Sequence, residues 1–466
     1  MARRMGEAPL PQGRAMRVTR LGGFRGLDRR GGVRDGYLAA CEGIDPRELP
    51  ALTTMRTPTP YRTCPAGKTL ALQAIGSAIF RVYTDESGLY LARYQKDGSL
   101  SRTALSSEDT TTPRTLLPYN LYSNPQDPLS GSYQNLVILF PDCVIFDPQA
   151  PIPKPEALGN ASSMPSITHA CVHLSRVFGA NEDRLYACAF NDPRNWNLDT
   201  ATSMDASHAW ASTVQSNTRA SGDFTAMTVY DGHVLAFKRR FCHILNNNKN
   251  PFRVADLLTV GTPDGRTIAE VEGKLFFVAD EGVYRYNGDS ATLISDVLDV
   301  ADFSGALAAG AAGLYWLYLP ALDRVLVWSE ANGAWSMLSP FADTPICGMT
   351  ADEKGCYMID EGGILYTFEG GRMAAFTVTT PPLLQEAIGR LSRLSLSLTA
   401  EAGATLTVTY TDTGGHITPL LQHTGNGRTV RVESRVFTPA DYGGSLHLSG
   451  TGKVTVHDLI LKVANS

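Results

Sequence analysis

The sequence predicts an all-β chain: a β-propeller of about six or seven blades, a C-terminal β-sandwich and an extended N-terminal arm. Three observations carry this. Short runs rich in Val, Leu, Phe and Tyr recur along the chain, each bounded by a turn containing Gly, Asp or Asn. No segment holds a 3.6-residue apolar period over three turns, so helices should be few and short. The rhythm runs from about residue 65 to about 380, roughly six or seven units of the 40–50 residues that a blade takes.

Residues 1–60 come first and differ from the rest. They are rich in Arg, Gly and Pro, with little apolar alternation, which suits an arm lying on something else. Residues 1–35 hold nine Arg against Glu7, Asp28 and Asp35, a balance of +6, and the remaining chain carries −11. So much positive charge with so little apolar surface cannot support a fold alone. The arm, from Ala2 to about Arg34, is therefore expected to order on assembly. Arg14, Arg17, Arg20, Arg25, Arg29, Arg30 and Arg34 are its candidate contacts with a partner surface, because guanidinium groups suit bidentate carboxylate recognition.

The propeller is expected over 61–382. Its strands include Thr69–Ala74, Ile79–Tyr83, Leu89–Tyr94, Leu136–Phe140, Leu185–Phe190 and Thr225–Tyr230. The middle of the chain is the clearest part. There Val234–Phe237, Leu275–Val278 and Val283–Tyr286 follow turns at Asp231-Gly232, Glu272-Gly273 and Asp280-Glu281-Gly282. The apolar run Gly305–Leu322 approaches the length of a membrane span. Its Gly310, Gly313 and Pro320, with Tyr315, Trp316 and Tyr318 at its centre, predict instead a small-residue turn followed by a strand at Leu314–Leu319. From Leu391 the pattern becomes strictly alternating, as in Leu391–Leu398, Thr405–Tyr410 and Val454–Leu459, with Gly-rich turns between. Half-buried strands of this kind predict a sandwich over 383–466.

Composition narrows the function. The 466 residues are 43% hydrophobic and 19% charged, with a net charge of −5, which fits a globular protein and not a general nucleic-acid binder. Eight Cys with no Cys-x-x-Cys pair read as buried thiols of a protein assembled in a reducing cytoplasm. The N-terminus has charge but lacks the apolar core of a signal peptide.

Motifs for catalysis are sparse. His169 and His173 flank Cys171 at a spacing that could hold zinc on a helix, but the surroundings read as a strand and no third ligand is visible. There is no Gly-x-Ser-x-Gly elbow, Walker loop or dinucleotide fingerprint. Ser329–Trp335 faintly resembles the Asp-box turn of sialidases without its Asp. The adjacent acids Asp280/Glu281 and Asp352/Glu353 read as solvated turns. No catalytic residue, cofactor or metal is expected.

One ordered set of phrases is more specific. Ser175–Ala180 and Asp183–Ala189 are followed by Asn191-Asp192-Pro193-Arg194-Asn195-Trp196-Asn197. Next come Gly222–Ala226, Leu235–Lys238 and the hairpin Gly273–Gly288. Phe24–Leu27, Leu49–Leu52 and Leu446–Gly452 complete the set. In order and spacing this resembles the packaged-DNA stabilisation or tail-nozzle proteins of bacteriophages, discontinuously over about residues 20–466. The stretch Cys41–Pro46 departs from that family's more acidic leader.

The resemblance implies a non-enzymatic structural protein of the virion tail or neck, assembled in the host bacterial cytoplasm. It implies a ring homo-oligomer, typically a hexamer, beneath the portal and its adaptor. Packaged DNA would pass through such a ring without sequence-specific binding. The alternative is a tail-associated propeller that binds or hydrolyses host-surface glycan. Within the resembling stretch, Trp196 is expected to anchor a blade turn.

Overall fold

The computed structural model describes residues 16–20, 23–30, 36–95, 98–124, 131–159, 163–198, 208–213, 221–246, 252–383, 389–440 and 443–465. The chain divides into two units. One comprises 58–331 and 340–371, the other 1–57, 332–339 and 372–466.

The first unit is a seven-bladed β-propeller. Blade 1 is Lys68–Ile75, Ala78–Asp85, Gly88–Gln95 and Leu100–Leu105, an antiparallel meander in chain order. Blades 2 to 5 repeat it, beginning at Thr115, His169, Phe224 and Ala269. Blade 6 contributes Leu307–Ala311, Leu314–Leu319 and Arg324–Ser329. Blade 7 is Ile346–Asp352, Gly355–Asp360 and Ile364–Thr367, and its fourth strand is Thr59–Thr63 from the start of the unit. The ring is thus closed by its own beginning.

The turns explain the hairpins. Asp231-Gly232, Glu272-Gly273 and Ala312-Gly313 join first to second strands, with positive φ at both positions. This two-residue geometry matches the right-handed twist of the strands it joins. The run Gly305–Leu322 accordingly holds two strands, and no helix among the described residues is long and apolar enough to cross a membrane.

Apolar clusters lie between successive blades. Phe80, Val82 and Leu91 pack with Val137, Leu139 and Phe146 across blades 1 and 2. Phe178 and Leu185 pack with Phe224 and Val234 across blades 3 and 4, and Phe237 with Phe277 across blades 4 and 5. Trp316 of blade 6 lies 4.6 Å from Phe368 at the end of blade 7. Ala74 N–H donates to Thr350 Oγ1 at 2.9 Å, joining the inner strands of blades 1 and 7.

Trp196 is 2% exposed, packs in the cluster of blades 2 and 3 and donates from Nε1 to Pro193 O at 2.8 Å. It holds the Asp192–Asn197 turn.

The second unit is the β-sandwich. One sheet runs Met16–Arg20, Val454–Asn465, Gly389–Ala400, Thr429–Ala440, with Leu52–Thr53 also on the last strand of the chain. The other runs Ala40–Glu42, Phe376–Thr379, Ser445–Thr451, Thr405–Thr411, Ile417–Thr424. Ala334–Met337 joins the second sheet in parallel with Ala40–Glu42. Leu394, Leu396, Leu398, Leu459 and Leu461 of the first sheet are fully buried, as are Leu406, Val408, Leu446 and Leu448 of the second.

The unit boundaries differ from those read in the sequence. The described residues of the arm make no sheet of their own and lie on the sandwich of the same chain. Phe24, Leu27, Leu38, Cys41, Ile44, Leu52 and Met55 are buried there. Met16–Arg20 pairs with the last strand of the chain, and Leu27 N–H donates to Trp335 O at 2.9 Å. Their single apolar anchors complete sheets nucleated elsewhere, which local alternation cannot reveal. Likewise Thr59–Thr63 belongs to the propeller, which ends at 371, and residues 332–339 go with the sandwich.

Candidate functional site

The first strand of each blade starts at the same end of the propeller axis, and a cavity of about 600 Å³ opens there. Its wall is assembled from the beginnings of those strands, including Thr69–Gln73, Thr115–Leu116, His169–Ala170, Phe224–Met227 and Gly348–Met349. The loops entering them add Thr112–Arg114, Asp223 and Pro263–Arg266, and the blade 3 turn adds Asn181 and Glu182.

Most of the charge at this mouth is already engaged. Arg114, with a fully buried side chain, donates to both Asp142 oxygens at 3.1 and 3.2 Å, to Asp109 O at 2.5 Å and to Thr112 O. Asp109 is held well below the usual carboxylate range, chiefly by hydrogen bonds from Thr112 and Thr111. Asp264 caps the short turn Gly265–Thr267 through Arg266 N–H and pairs with the Arg266 guanidinium at 2.5 Å.

The same Asp-x-Arg device recurs in the other unit. There Asp28 pairs with Arg30 at 2.9 Å and Asp45 with Arg47 at 2.7 Å.

His169 is kept neutral by burial, against the opposing pull of Asp264. His173 lies at the far end of the same strand, opposite Arg176. Four residues of extended chain separate the two imidazoles by about 13 Å, beyond the reach of one ion. The described residues contain no group of three or more His, Cys, Asp or Glu able to hold a metal. Cys347 is also at the mouth, its thiol 3.4 Å from Thr69 Oγ1 and pushed up by burial. A buried thiol of this kind is a poor nucleophile.

Behind the wall of blade 4 sits an unusual pair. Lys238, 2% exposed, places Nζ 4.9 Å from the centroid of the Phe224 ring. His243, also 2% exposed, meets the same ring edge-on at 5.7 Å, and neither of its nitrogens has a hydrogen-bond partner. Burial, then the Lys238 charge, pushes its pKa down to about 4. Lys238 is itself lowered by burial, opposed by Asp183 and Asp223.

The candidate contact arginines distribute as follows. Arg14 and Arg34 lie outside the described residues. Arg17 and Arg20 fall on the strand that pairs with Ile460–Ala464. Arg25 and Arg29 are exposed, and Arg30 is engaged by Asp28. The channel mouth itself was not read from the sequence. Its residues are scattered from 69 to 349, and the one local signal is the Asp-x-Arg spacing at 264–266.

No family model matches the chain, and no curated protein matches it in sequence. Among solved structures it is similar to virginiamycin B lyase from Staphylococcus aureus. That likeness has 9% identity and a TM-score of 0.45, over 66% of this chain and 98% of that one. The Cps50 (Swd1) β-propeller domain of Myceliophteria thermophila matches at 10% identity and a TM-score of 0.42, over 66% and 98%. YCF48 bound to D1 peptide matches at 10% and 0.42, over 70% and 96%.

Proposed function

We propose that the chain is a structural protein of a phage virion, a tail-nozzle or neck component that extends the DNA channel below the portal and adaptor and helps retain packaged DNA. One observation carries the reading. The resembling phrases between Ser175 and Gly288 fall, in order, on consecutive pieces of propeller scaffold, while Phe24–Leu27, Leu49–Leu52 and Leu446–Gly452 lie in the other unit. Arg176–Asn181 is the second strand of blade 3, Asp192–Asn197 the turn on buried Trp196, and Phe224–Tyr230 and His233–Lys238 open blade 4. Lys274–Ala279 and Gly282–Tyr286 form the hairpin of blade 5. These are residues that build blades, and likeness concentrated in them suits a protein whose task is its shape.

Charge supports the same reading. Each phosphate neutralised by Lys or Arg adds affinity that would resist passage of DNA. Beyond residue 35 the chain carries a net charge of −11, so the wall of a ring built from its copies has little with which to grip DNA. The glycan alternative calls for aromatic stacking surfaces beside convergent acids. Among the described residues lining the mouth the one Phe, Tyr or Trp is Phe224, 3% exposed and beneath Lys238.

A conditional null allele of the gene in its phage is the test. Heads should package DNA and then lose it, with infectivity restored by the gene supplied in trans. A null phage of normal titre, or purified virions without the protein, refutes the proposal.

A further inference from the structure

We propose that the outward face of the sheet containing Gly389–Ala400 is a docking surface, and that its occupant is the acidic turn face of the propeller of a second copy of this chain.

Charge is segregated by unit. The propeller unit holds 22 Lys and Arg against 34 Asp and Glu, a net of −12. The sandwich unit holds 19 against 12, a net of +7, and together they give the −5 of the whole chain. Within the sandwich, the cross-strand register concentrates this charge. Arg393 stands opposite Arg435 on one neighbour and opposite Lys462 on the other, so three like charges lie in one row. Arg390 and Arg431 lie on the same face, with Glu433 and Asp458 among them. Glu433 is 3.5 Å from Arg393 and 3.7 Å from Arg431. Like charges directly opposite across strands destabilise a sheet. The opposite face, with Leu394, Leu396 and Leu461, is buried core. An anionic occupant converts the repulsion of the row into attraction.

The propeller supplies the complement. The turns between second and third strands lie at the same end as the cavity. Those of blades 1, 3, 5 and 7 carry the exposed residues Glu86, Glu182, Glu281 and Glu361, and the two arginines of the blade 4 turn, Arg239 and Arg240, stand 2.9 and 3.9 Å from Asp280 of blade 5. Carboxylates fit the guanidinium fork bidentately. The presence of Glu433 inside the basic face favours a protein surface of mixed charge over a continuous phosphate backbone. A contact between two different faces repeats from copy to copy, closing a ring or growing a filament. The proposal is read in purified protein, whereas the virion role is decided in infected cells, so either can fail alone.

Sedimentation velocity of the full chain tests it, with two charge-reversed variants. One is E86K/E182K/E281K/E361K and the other R393E/R431E/R435E, each checked for an unchanged thermal transition. The wild type should associate at about 20 mM salt and fall apart near 0.5 M, where surface charges are screened. Each variant alone should lose at least about tenfold in association, and an equimolar mixture should recover it, because each reversed face then meets its complement. If a reversal variant fails to fold, R393Q/R435Q and E281Q/E361Q, which remove charge without inverting it, should each weaken association. A monomeric wild type at low salt, variants that associate unchanged, or a mixture that stays apart overturns the proposal. So does a wild type that stays monomeric and binds duplex DNA through Arg393 and Arg435.

Discussion

His243 makes the propeller acid-sensitive in a way that one substitution should remove. Its pKa is pushed down to about 4 in the folded chain, against about 6.5 when unfolded. The unfolded state therefore binds more protons between these values, and stability must rise with pH across that window. The full contribution is present above about pH 6.5 and is lost as pH falls toward 4. Between pH 7 and pH 5 the two pKa values give a loss of about 2 kcal/mol from this residue. The groups that decide it are the Phe224 ring and Lys238, whose own charge is felt by Asp183 and Asp223. His243→Leu keeps the volume, removes the titration and deletes two buried nitrogens without partners. The variant should match or exceed the wild type at pH 7 and exceed it by about 2 kcal/mol more at pH 5. Urea unfolding followed by Trp fluorescence is the assay, because Trp196, Trp210, Trp316 and Trp328 all belong to the propeller unit. Equal losses for variant and wild type between pH 7 and pH 5 would refute the reasoning.

Three further outcomes are expected, each read by thermal or urea unfolding. Trp196→Ala should cost about 3–5 kcal/mol, the range for emptying a buried aromatic site; unchanged melting with a lost partner would contradict the anchoring role. Asp360, 1% exposed, accepts from Ile364 N–H at 2.7 Å and Tyr366 OH at 3.0 Å. Asp360→Ala strands both donors and should cost about 3 kcal/mol, whereas an effect within 0.5 kcal/mol, the ordinary surface range, would contradict that geometry. Arg81 is fully buried and donates to Thr69 Oγ1, Pro65 O and Gly67 O, fixing the passage from the closing strand into blade 1. Arg81→Met leaves these buried acceptors unmet and should cost about 3 kcal/mol, and a melting curve like the wild type's would show that the passage holds without it.

What the sequence disclosed followed burial. Second strands such as Lys274–Ala279 and Leu314–Leu319 are buried almost throughout, and their apolar runs are plain. Outer strands such as Arg253–Leu258 are exposed on most positions and carry no such signal. Pro118 broke the pattern of Thr115–Tyr122, a strand of blade 2. The sandwich alternated because each of its strands has one wet face. Residues 36–57 give little signal, because their strands are two or three residues long and borrow their hydrogen bonds from distant segments. The channel mouth was hidden for a related reason: Arg114 meets Asp142, and Cys347 meets Thr69, only once the ring is closed.

That closure sets a schedule for synthesis. Thr59 pairs with Thr367, 308 residues later, and at about 5–20 residues per second a ribosome needs between about 15 and 60 s to cover the interval. Until then the growing chain carries an open ring with an unpaired strand at each end. The sandwich waits longer still, because Met16–Arg20 pairs with strand residues 460–464. Nothing in the hydrogen bonding of Thr59–Thr63 distinguishes its own blade 7 from that of an identical chain on the next ribosome. Exchange of this strand between neighbouring nascent chains conserves every backbone bond, so crowded polysomes are where this fold is most exposed to swapped, interlocked products.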